Sequence, residues 1–483
     1  MATFHLLNFG CRASQADGAA LKRQLLDAGF EEATSAEQSQ VAVLNTCTVT
    51  ATADAEVRQM VRRIHRANPR CRILVTGCYA QRAPEEIAQL PGVAWVVGNS
   101  HKHLIAEVLG KHQGSEVRSQ EAGVRSQKTE GSGQAALVQI ERRLAVEGAP
   151  APAAELSIDS GVSAVGLPQI LVGEIGEQFH FAPVFADDHT RPTLKIQDGC
   201  NARCSFCVIP KVRGPSRSLA PEKVIAQVRE LEQAGYKEVV LSGINLGSYG
   251  KDLVRRITFL GLVERILTET SIARVRVSSI EVMDVSPNLI RLVACEPRMA
   301  QHFHVPLQSG CDCILRLMNR RYWAAQYAER MRAIHEQIPH GAIGADVMVG
   351  FPGETGQDHE TSLRFIESLP FTYLHIFPYS ARPGTPAAAR PGQLNGRVIR
   401  DRGQEMRSLI AQKRRAFLEA QIGRTLSVLT LDEARENTRV ALSTNYLKVA
   451  LPFSDLAPNT LLDVRVGRVG EGILYAYQES QHG

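Results

Sequence analysis

Three cysteines on one short loop are the residues of this chain best suited to chemistry. Cys200, Cys204 and Cys207 lie between Ile196 and Pro210, with three residues between the first two cysteines and two between the second and third. A structural zinc site takes four protein ligands, whereas this loop offers three thiolates and leaves one coordination position open. The spacing predicts a catalytic iron–sulfur cluster whose fourth iron binds a cofactor. A structural zinc site completed by a distant residue is the alternative, and a disulfide fits less well.

A second set of cysteines follows short apolar runs of the kind that form buried parallel strands. The runs and their cysteines are Phe4–Phe9 with Cys11, Val41–Leu44 with Cys47, and Arg72–Val75 with Cys78. Because the carboxyl ends of parallel strands share one edge of a sheet, the three thiolates are expected to converge. The pattern predicts a second three-cysteine cluster, and coincidental buried cysteines are the alternative. The remaining cysteines are expected to be ordinary thiols: Cys71, Cys295, Cys311 and Cys313.

The elements around these cysteines indicate an α/β protein. Helical periodicity at 19–28 and 55–67 separates the N-terminal strands, which predicts an open parallel α/β sheet. From about residue 185 to residue 386, strand and helix alternate again, which predicts a closed or partly closed parallel (β/α) barrel. Beyond about residue 418, short alternating strands predict a small antiparallel β-barrel.

Composition sets the boundaries between these parts. We expect an N-terminal α/β domain at 1–111, a low-complexity insert at 112–180, a central barrel at 181–417 and a C-terminal β-barrel at 418–483. Residues 135–172 are more apolar but show no clear period. Residues 113–134 are rich in Gly, Ser, Gln and charge, and Val117–Gln120 recurs as Val124–Gln127. Such a segment cannot bury much apolar surface and is expected to be a mobile linker.

The overall composition excludes several classes of protein. The chain has 483 residues, of which 44% are hydrophobic, and only ten are cysteines, too few for a disulfide scaffold. It has no apolar run of the roughly 18 to 20 residues that cross a bilayer, so we expect a soluble, cytoplasmic protein. A net charge of +5 permits a polyanionic partner without requiring one.

Polar residues stand at the predicted strand ends of the central barrel, where parallel barrels carry their active sites. Glycines let a ligand approach the backbone, carboxylates accept bonds from amines or hydroxyls, and amides bind base edges. These groups suit a small zwitterionic nucleotide, although a glycine at a strand end also fits a simple tight turn. The candidate cofactor contacts are Gly243, Asn245, Ser279, Glu281, Gln308 and Asp346.

With these motifs in order, the chain resembles the radical S-adenosylmethionine (SAM) methylthiotransferase family over nearly its whole length, except residues 113–170. Within that family, six segments resemble the branch that acts on threonylcarbamoyladenosine in tRNA. They are Asn45–Thr50, Gly77–Gln81, Gly214–Arg217, Gln308–Asp312 with Met318–Tyr322, and Leu374–Ser380.

The resemblance implies two [4Fe-4S] clusters and SAM as both radical source and methyl donor. Cys200, Cys204 and Cys207 would hold the cluster that binds SAM, and Cys11, Cys47 and Cys78 an auxiliary cluster that presents sulfur or methylthio to the substrate. The substrate would be the tRNA anticodon stem-loop, modified at C2 of the adenosine at position 37. The C-terminal barrel would be a TRAM module that helps to hold RNA. An electron donor such as flavodoxin or ferredoxin is implied, and the sulfur source stays open.

A basic helix is the candidate RNA surface. Arginines surround the apolar stripe formed by Val57, Met60, Val61 and Ile64, so a helix here would bury one side and expose cations on the other. The candidate RNA contacts are Arg58, Arg62, Arg63 and Arg66. A solvated helix face without an RNA partner is the alternative.

Three rival functions remain at this point. Two belong to the same family: methylthiolation of an aspartate of ribosomal protein S12, and of isopentenyladenosine at tRNA position 37. The third is a non-catalytic iron–sulfur protein that binds RNA or acts as a sensor. That protein would not need the polar residues at the strand ends.

Overall fold

The computed structural model describes residues 2–110, 167–175, 190–435, 438–452 and 455–477. Residues 1–106 and 168–483 form one compact unit, and all elements below belong to it. The second unit, residues 107–167, contributes only 107–110 and 167 to the described part. Most of the insert predicted at 112–180 therefore lies outside the described residues.

The N-terminal part is a six-stranded parallel sheet with the order β2-β1-β3-β4-β5-β6. Its strands are β1 (Thr3–Asn8), β2 (Glu31–Glu32), β3 (Val41–Thr46), β4 (Arg72–Gly77), β5 (Val93–Gly98) and β6 (Gln169–Leu171). Strand β3 is buried along its whole length, as expected for a central strand covered on both faces. The parallel sheet is confirmed. Strand β6 lies in the part of the predicted insert that showed no clear period, and it pairs with β5.

The helices beside this sheet include α1 (Arg12–Asp27), α2 (Ala51–Ala67), α3 (Cys78–Arg82) and α4 (Pro84–Ala88). Helix α1 begins directly after Cys11, seven residues earlier than the apolar periodicity at Ala19 indicated. In α2, the Thr50 hydroxyl accepts a bond from the Ala53 N–H at 3.2 Å and caps the first turn. Its buried side consists of Val57, Val61 and Ile64, as the pattern predicted.

The central part consists of parallel strands that occur in chain order. One sheet contains β7 (Thr193–Lys195), β10 (Glu238–Ser242) and β11 (Arg274–Val277), and the next contains β12 (His302–His304), β13 (Ala342–Val349) and β14 (Tyr373–Pro378). A parallel bridge between Ser279 and His304 joins the two sheets. A short antiparallel pair, β8 (Gln197–Asp198) and β9 (Arg217–Ser218), flanks the loop that carries Cys200.

Helices follow these strands and bury an apolar core against them. They are α5 (Ile209–Arg213), α6 (Pro221–Gln233), α7 (Phe259–Glu269), α8 (Pro287–Cys295), α9 (Asp312–Leu317), α10 (Ala324–Gln337), α11 (Gly356–Glu367) and α12 (Gly396–Glu419). Repeated strand and helix units place the carboxyl ends of all these strands at one end, where loops can assemble a site. None of the described helices is long and apolar enough to span a bilayer.

The C-terminal part is a closed five-stranded barrel with the order β15-β16-β17-β19-β18. Its strands are β15 (Thr425–Arg435), β16 (Thr438–Ser443), β17 (Lys448–Leu451), β18 (Leu461–Gly470) and β19 (Ile473–Ala476). The prediction of an antiparallel barrel needs one correction, because β17 and β19 pair in parallel where the barrel closes. The reason is topological: β19 returns across the barrel to β17 after pairing antiparallel with β18.

A buried ion pair fastens this barrel to the central sheet. Arg276 of β11 bonds to Glu238 of β10 at 2.7 Å, and both side chains are inaccessible to solvent. The same guanidinium donates to the carbonyls of Ser443 and Thr444 at 3.0 and 3.1 Å. The side chain therefore connects two sheets that are far apart in sequence.

Candidate active site

The loop that carries Cys200, Cys204 and Cys207 runs from β8 to α5. Its fold is set by backbone bonds: the Cys207 N–H donates to the Cys204 carbonyl at 3.1 Å, and the Cys200 N–H donates to the Gly214 carbonyl at 3.1 Å. All three cysteines are partly buried. Burial and the neighbouring sulfurs raise the pKa of Cys207 to about 12, so a bare thiolate is disfavoured at this position.

Arg320 supplies positive charge to this loop. Its guanidinium donates to the Cys204 sulfur at 3.3 Å and forms an ion pair with Glu281. Only 6% of the Arg320 side chain is exposed. Arg320 lies in the family segment Met318–Tyr322, and the sequence alone indicates no role for it. No local spacing could have found it, since its partner in the cysteine loop is 116 residues away.

The second set of cysteines converges at one edge of the N-terminal sheet. Cys11, Cys47 and Cys78 follow β1, β3 and β4, which are neighbours in the sheet. A side chain on Gly10, which has φ +99°, would place its Cβ 2.8 Å from the Cys47 sulfur, so only glycine brings this turn so close. Burial, together with nearby Cys11 and Cys78, raises the pKa of Cys47 to about 12.

The spacing of the sulfurs argues against a single small ion in either set. Two thiolates on one zinc ion lie about 4 Å apart, given zinc–sulfur bonds of about 2.3 Å. Among the described residues, the groups of three whose ligand atoms all lie within 4.8 Å are His304 with Asp346 and His375, and Cys311 with Cys313 and Asp358. Neither cysteine set of the candidate site is among them. Their wider spacing suits a larger group that bridges three sulfurs.

The two cysteine sets are neighbours. Cys78 packs in one apolar cluster with Val208 and Val212, which closely follow Cys207 in the chain. The Asn99 amide donates both to the Cys78 sulfur, at 3.5 Å, and to the Val212 carbonyl, at 2.8 Å. The parts of the chain that carry the two sets therefore touch beside Cys78 and Cys207.

A buried group of charges lies at the same junction; we call it the bridging ion cluster. Its members are Asp17, Lys102, Lys195, Asp198 and Arg213. Arg213 reaches both carboxylates at 2.9 Å. Burial alone would raise the pKa of Asp17, but Lys102, Lys195 and Arg213 hold it well below its usual value. Because these charges are paired, the cluster fixes the N-terminal sheet against the cysteine loop.

The comparisons with known proteins agree with this arrangement. Residues 3–98 match the Uncharacterized protein family UPF0004, and residues 194–366 match the Radical SAM superfamily. The chain is 34% identical to the threonylcarbamoyladenosine tRNA methylthiotransferase MtaB of Aquifex aeolicus, over 91% of this chain and 94% of that protein. The chain belongs to the radical SAM methylthiotransferase family.

Other relatives of this methylthiotransferase carry two different names. The protein named MtaB from Bacillus subtilis is 32% identical, covering 100% of this chain and 96% of the relative. A tRNA-2-methylthio-N(6)-dimethylallyladenosine synthase from Pelotomaculum thermopropionicum is 30% identical, covering 99% of each chain. Both relatives therefore match this methylthiotransferase over nearly its entire length.

A solved structure supports the fold. The radical S-adenosylmethionine methyltransferase TsrM from Kitasatospora setae matches with a TM-score of 0.51 at 13% identity, over 80% of this chain and 74% of that chain. At this identity the likeness concerns the fold alone. Membership of the Radical SAM superfamily implies a [4Fe-4S] cluster and SAM for the methylthiotransferase.

The residues around Cys200 fit those cofactors. The Asn245 side-chain nitrogen lies 4.0 Å from the Cys200 sulfur, and its oxygen is buried without a partner among the described residues. A buried amide oxygen without a donor is costly, so a ligand with an N–H group would satisfy it. The Gln197 side-chain oxygen orients this residue by accepting the Asn245 backbone N–H at 2.7 Å.

The other predicted cofactor contacts are spread along the same strand ends. Gly243 faces Gln197, where an added Cβ would come within 2.9 Å of the side-chain oxygen. Ser279 lies on the bridge to β12, and Gln308 takes φ +67° while its N–H donates to the Asp346 carbonyl at 2.8 Å. The Asp346 side chain is already bonded to His304 and His375. Asn245 thus lies beside the cysteine loop, and Glu281 is linked to that loop through its ion pair with Arg320. Asp346 instead contacts two histidines.

The predicted arginine surface needs one correction. Arg62, Arg63 and Arg66 are exposed on α2, as predicted. Arg58 instead donates to the Tyr79 hydroxyl at 2.7 Å and to Glu86 at 2.9 Å. It is held by α3 and α4, which pack beside α2, and this contact was not visible in the periodicity of α2 alone.

Cys311 and Cys313 also differ from the expectation of ordinary, separate thiols. Their sulfurs lie 2.8 Å apart, and both bond to Asp358, at 3.3 and 2.9 Å. Burial, with Asp358 and Cys311 close by, raises the pKa of Cys313 to about 12. The Cys-x-Cys spacing was the available signal. Asp358, 45 residues beyond Cys313, was not visible from it.

Proposed function

We propose that this methylthiotransferase acts on N6-threonylcarbamoyladenosine at position 37 of tRNA and places a methylthio group on C2 of the base. The relatives at 34% and 32% identity carry that substrate in their names. The observation that carries the proposal is the contact between the two cysteine sets, since Cys78 packs against Val208 and Val212 beside Cys207. A substrate carbon between them could meet both the radical source and the sulfur.

Cys200, Cys204 and Cys207 would hold the [4Fe-4S] cluster that binds SAM, and Cys11, Cys47 and Cys78 a second [4Fe-4S] cluster. Bound there, these groups would supply a radical able to take hydrogen from an unactivated carbon, and the sulfur and methyl to replace it. The protein's own part is to bind and orient. Asn245 and Glu281 would contact SAM, and Gly243, Ser279 and Gln308 would shape its pocket.

Arg320 would act on the first set rather than on the substrate. Its guanidinium lies against the Cys204 sulfur and is buried, so its positive charge is poorly screened. A fixed cation at this distance would stabilise negative charge on the sulfur ligands. It would also hold Glu281 in place through their ion pair.

RNA would bind across the exposed arginines of α2 and the C-terminal barrel. Arg62, Arg63 and Arg66 point outward in one group, and such a group attracts phosphates. We assign the five-stranded barrel at 418–483 to the TRAM type, with the N-terminal domain at 1–111 and the radical SAM core at 181–417. An electron donor such as flavodoxin or ferredoxin would be the protein partner.

Dimethylallyladenosine is the second candidate substrate, because a relative named for it is 30% identical over 99% of each chain. The two candidates differ in the group on N6: a threonine carboxylate and hydroxyl in one, a small hydrocarbon in the other. They therefore call for different side chains in the substrate pocket.

Mass spectrometry of tRNA nucleosides tests the proposal. Cells without the gene should lose 2-methylthio-N6-threonylcarbamoyladenosine and regain it when the gene is restored. Restoring a Cys200→Ala variant serves as the matched control and should not regain it. Persistence of that nucleoside, with loss of the methylthio derivative of dimethylallyladenosine, would assign the enzyme to the second substrate.

A further inference from the structure

A row of hydrogen-bonded side chains crosses the central sheet beside the candidate active site. We call it the histidine row; its members, in the order in which they are hydrogen-bonded, are His302, Tyr373, His304, Asp346 and His375. The Tyr373 hydroxyl lies 2.7 Å from His302 Nε2 and 3.0 Å from His304 Nδ1. One oxygen of Asp346 lies 3.2 Å from both His304 Nε2 and His375 Nδ1. Each ring is thereby held in one orientation.

The row is buried at one end and open at the other. His302 is buried, whereas the exposed fraction rises from 10% at His304 to 26% at Asp346 and 53% at His375. His375 Nε2 has no hydrogen-bond partner among the described residues. The fixed ring therefore offers one polar atom to a ligand.

An exposed aromatic ring lies next to this open end. Phe377, two residues beyond His375 on β14, shares its face of the strand and is 39% exposed. The two rings lie 6.3 Å apart in an edge-to-face arrangement. An aromatic ring beside a fixed imidazole suits a base that stacks on the ring and carries a polar substituent.

The buried half of the row has positive charge around it. Arg12 of α1 and Arg276 of β11 interact electrostatically with both His302 and Tyr373. Arg414 of α12 interacts in the same way with Tyr373. Burial and these cations hold the pKa of His302 well below its usual value. The carboxylates near the row are Asp346, bonded to two histidines, and Glu238, paired with Arg276.

The row also lies close to both cysteine sets. Arg12, the residue after Cys11, donates to the Tyr446 hydroxyl at 2.8 Å, and the Tyr446 ring stacks on His302 at 4.5 Å. On the other side, His304 bridges to Ser279, two residues before Glu281, the partner of Arg320. These contacts link the buried end of the row to both cysteine sets. Beyond the open end, Ser380, three residues after Phe377, accepts a bond from the Ala51 N–H at 2.9 Å, and Ala51 follows Cys47 by four residues.

A metal ion fits the row less well, although His304, Asp346 and His375 have the residue types of a metal site. His304 Nε2 and His375 Nδ1 are both already hydrogen-bonded to the same oxygen of Asp346. An ion bound there would have to displace both hydrogen bonds. An organic anion can instead accept a hydrogen bond from the Nε2–H of a doubly protonated His375, whose Nδ1–H stays on Asp346 so that the row is left intact.

We propose that His375, held by Asp346, binds the carboxylate of an anionic N6 substituent while Phe377 stacks on the adenine that carries it. This rests on the proposed function, since the threonylcarbamoyl group ends in a carboxylate and the dimethylallyl group does not. His375 and Phe377 are binding residues, and Asp346 and His304 are positioning residues. The assignment of Asp346 differs from its predicted role as a SAM contact.

The test compares two anticodon stem-loop RNAs with the reconstituted holoenzyme. One carries N6-threonylcarbamoyladenosine, and the other carries its methyl ester, which lacks the negative charge. The wild-type enzyme should prefer the acid in both kcat/KM and RNA affinity. His375→Ala should reduce kcat/KM for the acid by about tenfold to a hundredfold, the usual range for a hydrogen bond to a charged group, and leave the ester nearly unchanged. Formation of 5′-deoxyadenosine without RNA should be unaffected, which shows that the variant is folded.

Three further variants separate the roles. Phe377→Ala should weaken binding of the acid RNA and of the ester RNA equally, because stacking does not depend on the charge of the substituent. Asp346→Asn should raise KM for the acid more than it lowers kcat, since it loosens the His375 ring. His335→Ala, at an exposed histidine on α10, should change neither kcat/KM nor affinity for either RNA.

The possible failures are distinguishable. If the wild-type enzyme modifies a dimethylallyladenosine stem-loop and not the threonylcarbamoyl one, the proposed function fails and this inference fails with it. If the wild type modifies the threonylcarbamoyl RNA but His375→Ala keeps the preference for acid over ester, the inference alone is wrong. Loss of a bound metal ion other than cluster iron in His375→Ala would assign the row to a metal.

Discussion

The two cysteine sets differ in the charges and side chains around them. The first set has Arg320 against one sulfur and an unpartnered amide oxygen at Asn245. The second set has Asn99 against Cys78, and the Gly10 turn brings Cys11 close to Cys47. A cation in contact with one sulfur and a free acceptor suit a site that binds a charged cofactor. The cation near the second set is Arg213, which is instead paired with the carboxylates of the bridging ion cluster. The two sets are thus suited to different tasks.

Single substitutions should separate these tasks. Cys200→Ala removes a ligand of the first set and should abolish reductive cleavage of SAM, measured as 5′-deoxyadenosine released under anaerobic conditions. Cys47→Ala should keep that cleavage and lose methylthio insertion, because its set lies in another part of the chain. Each variant should hold about four iron atoms per chain where the wild type holds about eight.

Cys295→Ala is the matched control, since this exposed cysteine at the end of α8 belongs to neither set. It should retain the iron content and both activities. Equal loss of SAM cleavage in Cys200→Ala and Cys47→Ala would contradict the division of labour.

At the scale of residues, the sequence predicted those parts of the site whose spacing is local. The Cys200 loop is contained in a short stretch of chain, and each cysteine of the second set follows its own strand. Arg320 and the histidine row could not be found in this way. Their partners come from strands and helices that only the tertiary fold brings together.

At the scale of elements, helix α2 shows how far periodicity reaches. The pattern of Val57, Val61 and Ile64 predicted correctly which side of the helix is buried. It could not predict that Tyr79 and Glu86 would bind Arg58. Likewise, the apolar runs predicted the parallel strands and the sheet edge that they share. Strand β6 was not predicted, because its segment shows no clear hydrophobic period.

The exposed arginines of α2 can be tested by charge reversal. Replacing Arg62, Arg63 and Arg66 by Glu should weaken binding of an anticodon stem-loop by about tenfold or more. It should also reduce the slope of log affinity against log salt by roughly 0.7 to 0.9 for each phosphate that the helix no longer neutralises. Filter binding over a range of salt concentrations measures both effects, and SAM cleavage should not change.

Two controls accompany this variant. Arg332→Glu, at an exposed arginine on α10, should leave RNA affinity nearly unchanged. Arg58→Ala should lower the melting temperature rather than RNA affinity, because it breaks the bonds to Tyr79 and Glu86. Unchanged affinity in the triple variant would exclude α2 from the RNA surface.

At the scale of the whole molecule, the Glu238 and Arg276 pair joins the central sheet to the C-terminal barrel. Burial would raise the pKa of Glu238, but Arg276 and Arg191 lower it to about 2. A carboxyl whose pKa is lower in the folded protein stabilises the fold above its ordinary pKa, near 4.5. That stabilisation is lost as the pH falls toward 2.

Glu238→Gln should therefore destabilise the protein at pH 7, by about 3 to 5 kcal/mol, because Arg276 stays buried without its carboxylate. The difference in melting temperature from wild type should shrink as the pH is lowered from 4.5 toward 2. Glu336→Gln, an exposed change on α10, provides the baseline. Equal melting temperatures of Glu238→Gln and wild type at pH 7 would show that the pair does not fasten the barrel.

The bridging ion cluster has a consequence for hybrids built from two relatives. Asp17 comes from the first 110 residues, whereas Lys195 and Arg213 come from beyond the insert, so the ion pairs that Asp17 makes with these two cations form only when both halves are present. A hybrid that joins the first 110 residues of one relative to the remainder of another would bury an uncompensated carboxylate or ammonium wherever the parents differ at these positions. Such exchanges should succeed only when these three residues are transferred as a group, so the two halves are expected to have diverged together.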